Sequence, residues 1–277
     1  MLRFMSLSSG SCGNCYFLHD GESGIIIDAG VSVRRLKKYL GDKGYSLDSF
    51  QAVLVTHDHL DHIRHLGSWC KRLQKPVYAT PILREALSWH SFTRDWIDSC
   101  GRVLDPEGSI IRLAPDIPDE DCPQVIPFQV PHDATQTVGF FIKWHGLRFF
   151  LMTDAGRMTD EALEYASKAD AVVIESNYDT GMLIGGPYTH ELKMRICKGN
   201  GHLSNDECAS AIRRFWHPGL RNIFLCHLSE NNNTPALAFS STAGILGSID
   251  AGNGMTAKDV TNLQTLPRSF PSALYNL

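Results

Sequence analysis

The sequence predicts an α/β fold, and three observations carry that expectation. Short runs rich in Val, Ile and Phe recur along the chain, segments with one apolar and one polar face lie between them, and each run ends on a residue able to bind a metal ion. In chain order the runs are Gly24-Ile25-Ile26-Ile27-Asp28, Ala52-Val53-Leu54-Val55-Thr56-His57, Phe149-Phe150-Leu151-Met152-Thr153-Asp154, Ala171-Val172-Val173-Ile174-Glu175 and Asn222-Ile223-Phe224-Leu225-Cys226-His227. Continuous apolar runs of this length read as strands buried on both faces. Their polar last residues fall at the carboxyl ends, where open α/β sheets place ligands.

Helices are expected over 60–74, over 81–90 with Pro81 in the first turn, and over 159–168 with Thr159 as cap. A fourth is expected over 205–215, where Ser204 and Glu207 form a capping-box pattern, and Thr234-Pro235 opens a last one. The acidic, proline-rich stretch 105–123 reads as a loop beside an edge strand. With no repeat, low-complexity tract or linker in its 277 residues, the chain reads as one domain over 1–277.

Composition narrows the function class. The 43% hydrophobic content excludes a disordered chain, and no apolar run is long enough to span a membrane. Met1-Leu2-Arg3-Phe4-Met5 is too short for an export signal, so a cytoplasmic protein is expected. The eight cysteines lack the spacing of a disulfide framework, and Cys12-x-x-Cys15 reads as a tight turn.

The histidines are distinctive: four of twelve lie at 57, 59, 62 and 65. His57-x-His59-x-Asp61-His62 follows a strand directly, so three imidazoles and a carboxylate converge on one strand-to-helix turn. His57 and His59 suit one ion, while Asp61 and His62 suit a second. His132, Asp154 and His227 complete the set: His57, His59 and His132 for one ion, Asp61, His62 and His227 for the other, with Asp154 bridging. Nitrogen and carboxylate ligands suit Zn²⁺ best, with Mn²⁺, Fe or Co as alternatives. Two such ions are a device for hydrolysis, because they lower the pKa of water from about 15.7 toward about 7 and stabilise charge on phosphoryl or carbonyl oxygens.

This ordered set resembles the metallo-β-lactamase fold superfamily, which implies a four-layer αβ/βα sandwich with a dinuclear metal site. Finer marks resemble its YycJ (WalJ) branch of nucleases. They are Ser9-Gly10-Ser11-x-Gly13-Asn14, Glu175-Ser176-Asn177-Tyr178-Asp179, Leu192-Lys193-x-Arg195-Ile196, Gly201-His202-Leu203-Ser204-Asn205 and His227-Leu228-Ser229-Glu230-Asn231-Asn232-x-Thr234-Pro235. The resemblance covers most of 4–240 and leaves 105–123 and the tail after about 250 unmatched. It implies a metal-dependent phosphodiesterase acting on nucleic acid, with exonucleolytic attack on DNA as the leading case. In the tRNA-processing relatives a His paired with a Glu protonates the leaving oxygen, and His202 with Glu175 stand in those places. Asp61 is expected to orient the attacking water. The helix after Ser204 would point its positive end at the same region.

The remaining residues carry less. Asn14 and its Ser/Gly loop could offer backbone N–H groups to an anion. Arg34-Arg35-x-Lys37-Lys38 and Arg213-Arg214 read first as solvated helix faces. Asp58 is expected to orient a neighbouring ligand, and His65, where such proteins often have Gly, is not expected to bind metal. A hydrolase of small esters, lactones, thioesters or cyclic phosphodiesters is the alternative function, favoured by the formal net charge of −4, which suits nucleic acid poorly. A non-catalytic metal-binding regulatory or redox module is less consistent with a full ligand set. No large insert or docking arm of the RNA-processing relatives is seen between Asp154 and His227. Oligomeric state is not readable.

Overall fold

The computed structural model describes residues 1–105, 110–113, 118 and 121–277. One sheet is built from β1 (Arg3–Gly10), β2 (Gly13–His19), β3 (Gly24–Ile27), β4 (Ala52–Leu54), β5 (Val77–Ala79) and β6 (Gly101–Val103). The other uses β7 (Ile111–Arg112), β8 (Gln124–Gln129), β9 (Val138–Trp144), β10 (Leu147–Met152), β11 (Ala171–Glu175) and β12 (Asn222–Cys226). A ribbon of β13 (Asp250–Gly252) and β14 (Met255–Thr256) follows, then β15 (Asn262–Thr265) and β16 (Tyr275–Asn276). The strand orders are β16-β1-β2-β3-β4-β5-β6 and β15-β12-β11-β10-β9-β8-β7. In each sheet one half is antiparallel and the other parallel, so helical crossovers are confined to the parallel halves.

Two-sided burial explains the apolar runs. Along β11, Ala171 and Val173 face the core between the sheets, while Val172 and Ile174 face the helices outside. Phe4 of β1 reaches across to Phe149 and Phe224, with ring centroids 5.4 and 4.8 Å apart. The outer face of the second sheet is covered by α6 (Asp160–Ala166), α9 (Asn205–Phe215) and α10 (Pro235–Leu246). The first is covered by α1 (Val33–Gly41), α3 (Leu66–Leu73) and α4 (Pro81–Trp89), preceded in the chain by the short α2 (Leu60–Ile63) where α3 begins and followed by α5 (Ile97–Cys100) after α4. The result is the expected αβ/βα four-layer sandwich. The tail clasps it, β15 pairing with β12 and β16 with β1.

The anticipated caps are present. Thr159 accepts from Ala162 N, Ser204 and Glu207 form the full capping box, and Thr234 caps α10 ahead of Pro235. The helix expected over 60–74 is instead two, because His65 N turns to Ala29 O (3.2 Å) and so breaks the ladder between α2 and α3. The stretch 105–123 falls partly outside the described residues, and its described part supplies edge strand β7. Cys12 sits exposed in the β1–β2 turn, and all eight cysteines are free. Helix α1 carries the basic cluster at 34–38 read as a solvated helix face, while α7 (Thr180–Gly185) and α8 (His190–Cys197) were not anticipated. Among the described residues no helix is long and apolar enough to cross a membrane.

Three segments meet where β3 ends. Gly30 N donates to Asn14 O (2.9 Å), and a Cβ on Gly30 would lie 2.0 Å from Asp61 O and 2.4 Å from Asn14 N. These obstacles, and Asn14 O at 2.7 Å, are all backbone, so nothing can swing aside. Gly30→Ala is therefore expected to cost about 3 kcal/mol, the upper end of overpacking, read as a lowered urea midpoint with unchanged slope. A midpoint equal to the parent's would show that this junction is not tightly packed.

Candidate metal centre

The polar ends of the parallel strands converge between the sheets. Asp28 follows β3, His57 follows β4, Asp154 follows β10, Glu175 ends β11 and His227 follows β12. Asp28, Asp154 and His227 have φ of 64°, 53° and 51°, a left-handed backbone that costs side-chain-bearing residues about 1–3 kcal/mol each. Such strain persists only where the surroundings over-determine it, and these three turns aim side chains into one cluster.

Outer hydrogen bonds fix the imidazoles. Asp28 Oδ1 accepts from Thr56 N (2.8 Å), and Asp28 Oδ2 accepts from Thr56 Oγ1 (2.8 Å) and from His62 Nδ1 (2.7 Å). With its proton spent on Asp28, Thr56 Oγ1 accepts from His57 Nδ1 (3.0 Å). His132 Nδ1 donates to Gly201 O (2.8 Å). Glu175 Oε1 lies 2.8 Å from both His227 Nδ1 and His202 Nδ1, and Glu175 Oε2 accepts from Ala155 N (3.0 Å) and Leu203 N (3.1 Å). The second nitrogens of His57, His62, His132 and His227 are thereby directed inward.

The structure brings all seven anticipated ligand residues together in overlapping sets. His57, His59 and His132 form one, Asp61, His62 and His227 another, His57, His62 and Asp154 a third, each with its ligand atoms within 4.8 Å of one another. Asp154 lies among them, its Oδ2 3.1 Å from His62 Nε2 and its Oδ1 3.7 Å from His132 Nε2 and 3.3 Å from His227 Nδ1. Asp154, Glu175, His202 and His227 also form a set.

Burial disfavours charge on every group here. It prevails at His57 and His132, whose protonation is pushed down. At His62 burial is outweighed by Asp28, Asp61 and Asp154, and at His227 by Asp154, Asp61 and Glu175, so both are pushed well up. Burial likewise pulls His202 down, but Glu175 and Asp154 raise it overall. The imidazoles in turn hold Asp61 and Asp154 below the usual carboxylate range against burial, and Glu175 at about 2. Ionised carboxylates this deep call for cations. His57 Nε2, buried without a hydrogen-bond partner, is the atom a metal ion would satisfy, and the N/O donor set suits a divalent transition metal.

A cleft of about 410 Å³ opens onto the cluster, lined by His59, Asp61, Asp154, His202 and His227 on one side and by Tyr188, Leu192, Arg195 and Ile196 on the other. One expectation needs correction. Asp58 orients no ligand; it binds Thr135 N (3.1 Å) and Thr135 Oγ1, pinning the loop after His132, because its side chain points out of the turn. In the Ser/Gly loop it is the Asn14 side chain that reaches the cluster, its Nδ2 donating to Asp61 Oδ2 (3.0 Å) and lying 2.8 Å from His62 Nε2. His65 stands outside every ligand-capable set among the described residues. The basic clusters stay on surfaces, Arg213 against Ser248 and Arg214 near Asp160. Asp28 was missed as a site residue, although its place at the end of an apolar run is the signal that marked the others.

This architecture, a four-layer sandwich with histidines and aspartates gathered at the strand ends, is the metallo-β-lactamase fold. The Bacillus subtilis metallo-β-lactamase fold protein YhfI superposes with a TM-score of 0.65 over 98% of both chains, at 14% identity. The chain belongs to the Beta-lactamase superfamily domain family, whose model matches residues 24–224. It is 29% identical over 256 residues to the Streptococcus pneumoniae protein named "Exodeoxyribonuclease WalJ", covering 92% of each chain. It is also 29% identical over 245 residues to "Exodeoxyribonuclease YycJ" of Bacillus anthracis, covering 88% of this chain and 89% of that one.

The role of Asp28 can be measured. Asp28→Asn removes the acceptor that holds both His62 and Thr56, so divalent-metal affinity is expected to fall by about 10–100-fold, read by competition with a chromophoric chelator. Unchanged affinity would mean that His57 and His62 hold their orientation without it.

Proposed function

We propose that this chain is a divalent-metal-dependent phosphodiester hydrolase that removes nucleotides from nucleic-acid ends, DNA before RNA, working as one domain in the cytoplasm. The carrying observation is that one cleft contains both Asp61 beside the metal-capable cluster and His202 held by Glu175, in a chain similar over most of its length to proteins named exodeoxyribonucleases. The eight free cysteines suit a reducing compartment.

In this reading two divalent ions, Zn²⁺ first and Mn²⁺ or Fe as alternatives, would be held by His57, His59 and His132 and by Asp61, His62 and His227, with Asp154 also at the site. Bound there, they supply a lowered water pKa and positive charge for phosphoryl oxygens. Asp61 stays ionised and accepts a hydrogen bond from the attacking water, fixing its direction. Glu175 favours the protonated form of His202; with Nδ1–H committed to Glu175 Oε1, the proton on Nε2 is the one that would pass to the departing oxygen. Glu175 carries the charge that keeps that proton available.

Metal-replete protein is expected to shorten end-labelled DNA in a chelator-sensitive way, with binding that weakens as salt rises. Asp154→Ala should lower the occupancy of both ions. Turnover of a small cyclic phosphate or ester with oligonucleotides untouched under several metals would transfer the assignment to a small-molecule hydrolase.

His202→Ala is expected to retain metal yet slow cleavage of an oligonucleotide by about 10²–10⁴-fold, with a much smaller loss on a nitrophenyl phosphodiester, whose leaving group needs little protonation. Glu175→Gln should show a milder version. Equal losses on both substrates with metal retained would make His202 a phosphate-binding group instead of a proton donor.

A further inference from the structure

Helix α8 carries a feature that packing does not explain. Its eight residues include none that is buried. Short helices draw their stability mainly from burying a face, and this one has only Lys193 and Ile196 partly buried. Polar ties hold it in place instead. Thr189 caps its start, Lys193 Nζ donates to Ile184 O (2.7 Å) and Gly186 O (2.8 Å), and Ile196 O accepts from His202 N (3.0 Å). A Cβ on Gly201 would meet Ile196 O at 2.1 Å, so the end of α8 is locked against the residue preceding His202. The helix thus stands as one wall of the cleft, in fixed relation to the proposed proton donor.

Resting on the nuclease reading above, we propose that α8 is the wall that grips the substrate strand, with Arg195 as its phosphate clamp. Arg195 lines the cleft with a side chain 64% exposed, and its Nε pairs with Asp133. Among the described residues, its two terminal nitrogens have no protein partner. The pair with Asp133 fixes the fork without consuming it, and a guanidinium edge offering two parallel N–H groups matches phosphate. Leu192 and Ile196 beside it, and the ring of Tyr188, whose hydroxyl is held by Asn231 Nδ2 (2.9 Å), add apolar surface for sugar and base. The occupant is therefore a nucleic-acid strand, recognised through its backbone next to the scissile bond. This gives a role to the Leu192-Lys193-x-Arg195-Ile196 motif, which the cluster chemistry leaves unused.

The competing role for Arg195 is to steady Asp133, which lies 3.6 Å from His59 Nε2 and 3.5 Å from His132 Nε2. Kinetics of metal-replete protein on end-labelled single-stranded DNA, with metal content measured in parallel, separates the two. Arg195→Ala is expected to raise KM about 10–100-fold with a much smaller change in kcat, to lessen the salt dependence of binding by about one counterion, and to keep its metal. Arg195→Lys should restore the salt dependence but only part of the KM. Unchanged KM and salt dependence in the Ala variant, or loss of metal from it, would overturn the clamp. Wild-type protein inert on every oligonucleotide would overturn the nuclease reading itself, a result visible before any variant is made.

Discussion

A buried carboxylate at the end of β3 decides how the cluster is arranged. Asp28 accepts from the backbone and hydroxyl of Thr56 and from His62 Nδ1, and through Thr56 it sets the tautomer of His57 as well. Two imidazoles thereby turn their remaining nitrogens inward without bonding directly to each other. Glu175 performs the corresponding task on the other sheet, receiving His227 and His202 at one oxygen and two backbone N–H groups at the other. Each half of the sandwich therefore contributes one fully buried acid that binds no exposed partner and holds two rings. An uncompensated carboxylate at such depth would be costly, and these acids favour positive charge in their surroundings, raising the proton affinity of His62, His227 and His202.

Glu175 also ties the site to the backbone that shapes it. Glu175 Oε2 holds Ala155 N, just past the left-handed Asp154, while Gly156 N donates to Pro131 O (2.8 Å), beside His132. A side chain at Gly156 would collide with Gly199 and Asn200, the segment that leads to His202. The turn bearing Asp154, the loop bearing His132 and the approach to His202 are consequently one packed unit. Displacing any of them would strain the others, which is how the left-handed turns are held without glycine.

Local chemistry was legible in the sequence wherever it was written in local spacing. His57, His59, Asp61 and His62 are close in the chain, capping residues act on the next turn, and apolar runs bury both faces of a strand wherever it lies. Long-range partners left weaker marks. Asp28 looked like the other strand ends but had no neighbouring ligand to single it out, whereas Asp58, lodged between two histidines, was the obvious orienter and instead points to Thr135. Helix α8 has no buried core face, and Leu192 and Ile196 at helical spacing are too short a pattern for a periodicity search to single out. The break at His65 depends on a contact with Ala29, which no window around 60–74 contains.

Net charge was the sequence feature that argued most directly against a nucleic-acid substrate, and the structure shows why it is a weak guide. Asp28, Asp154 and Glu175 are fully buried among imidazoles and contribute little to the field a strand meets on approach. Two divalent ions at the cluster would carry four positive charges, equal in size to the formal −4 of the chain. In the proposed reading, what a phosphate backbone would meet is set within a Debye length of the cleft, by the ions the cluster would hold and by the guanidinium edge of Arg195. In the proposed nuclease reading, the formal charge of −4 therefore describes the chain as a whole and not the cleft that a strand would enter.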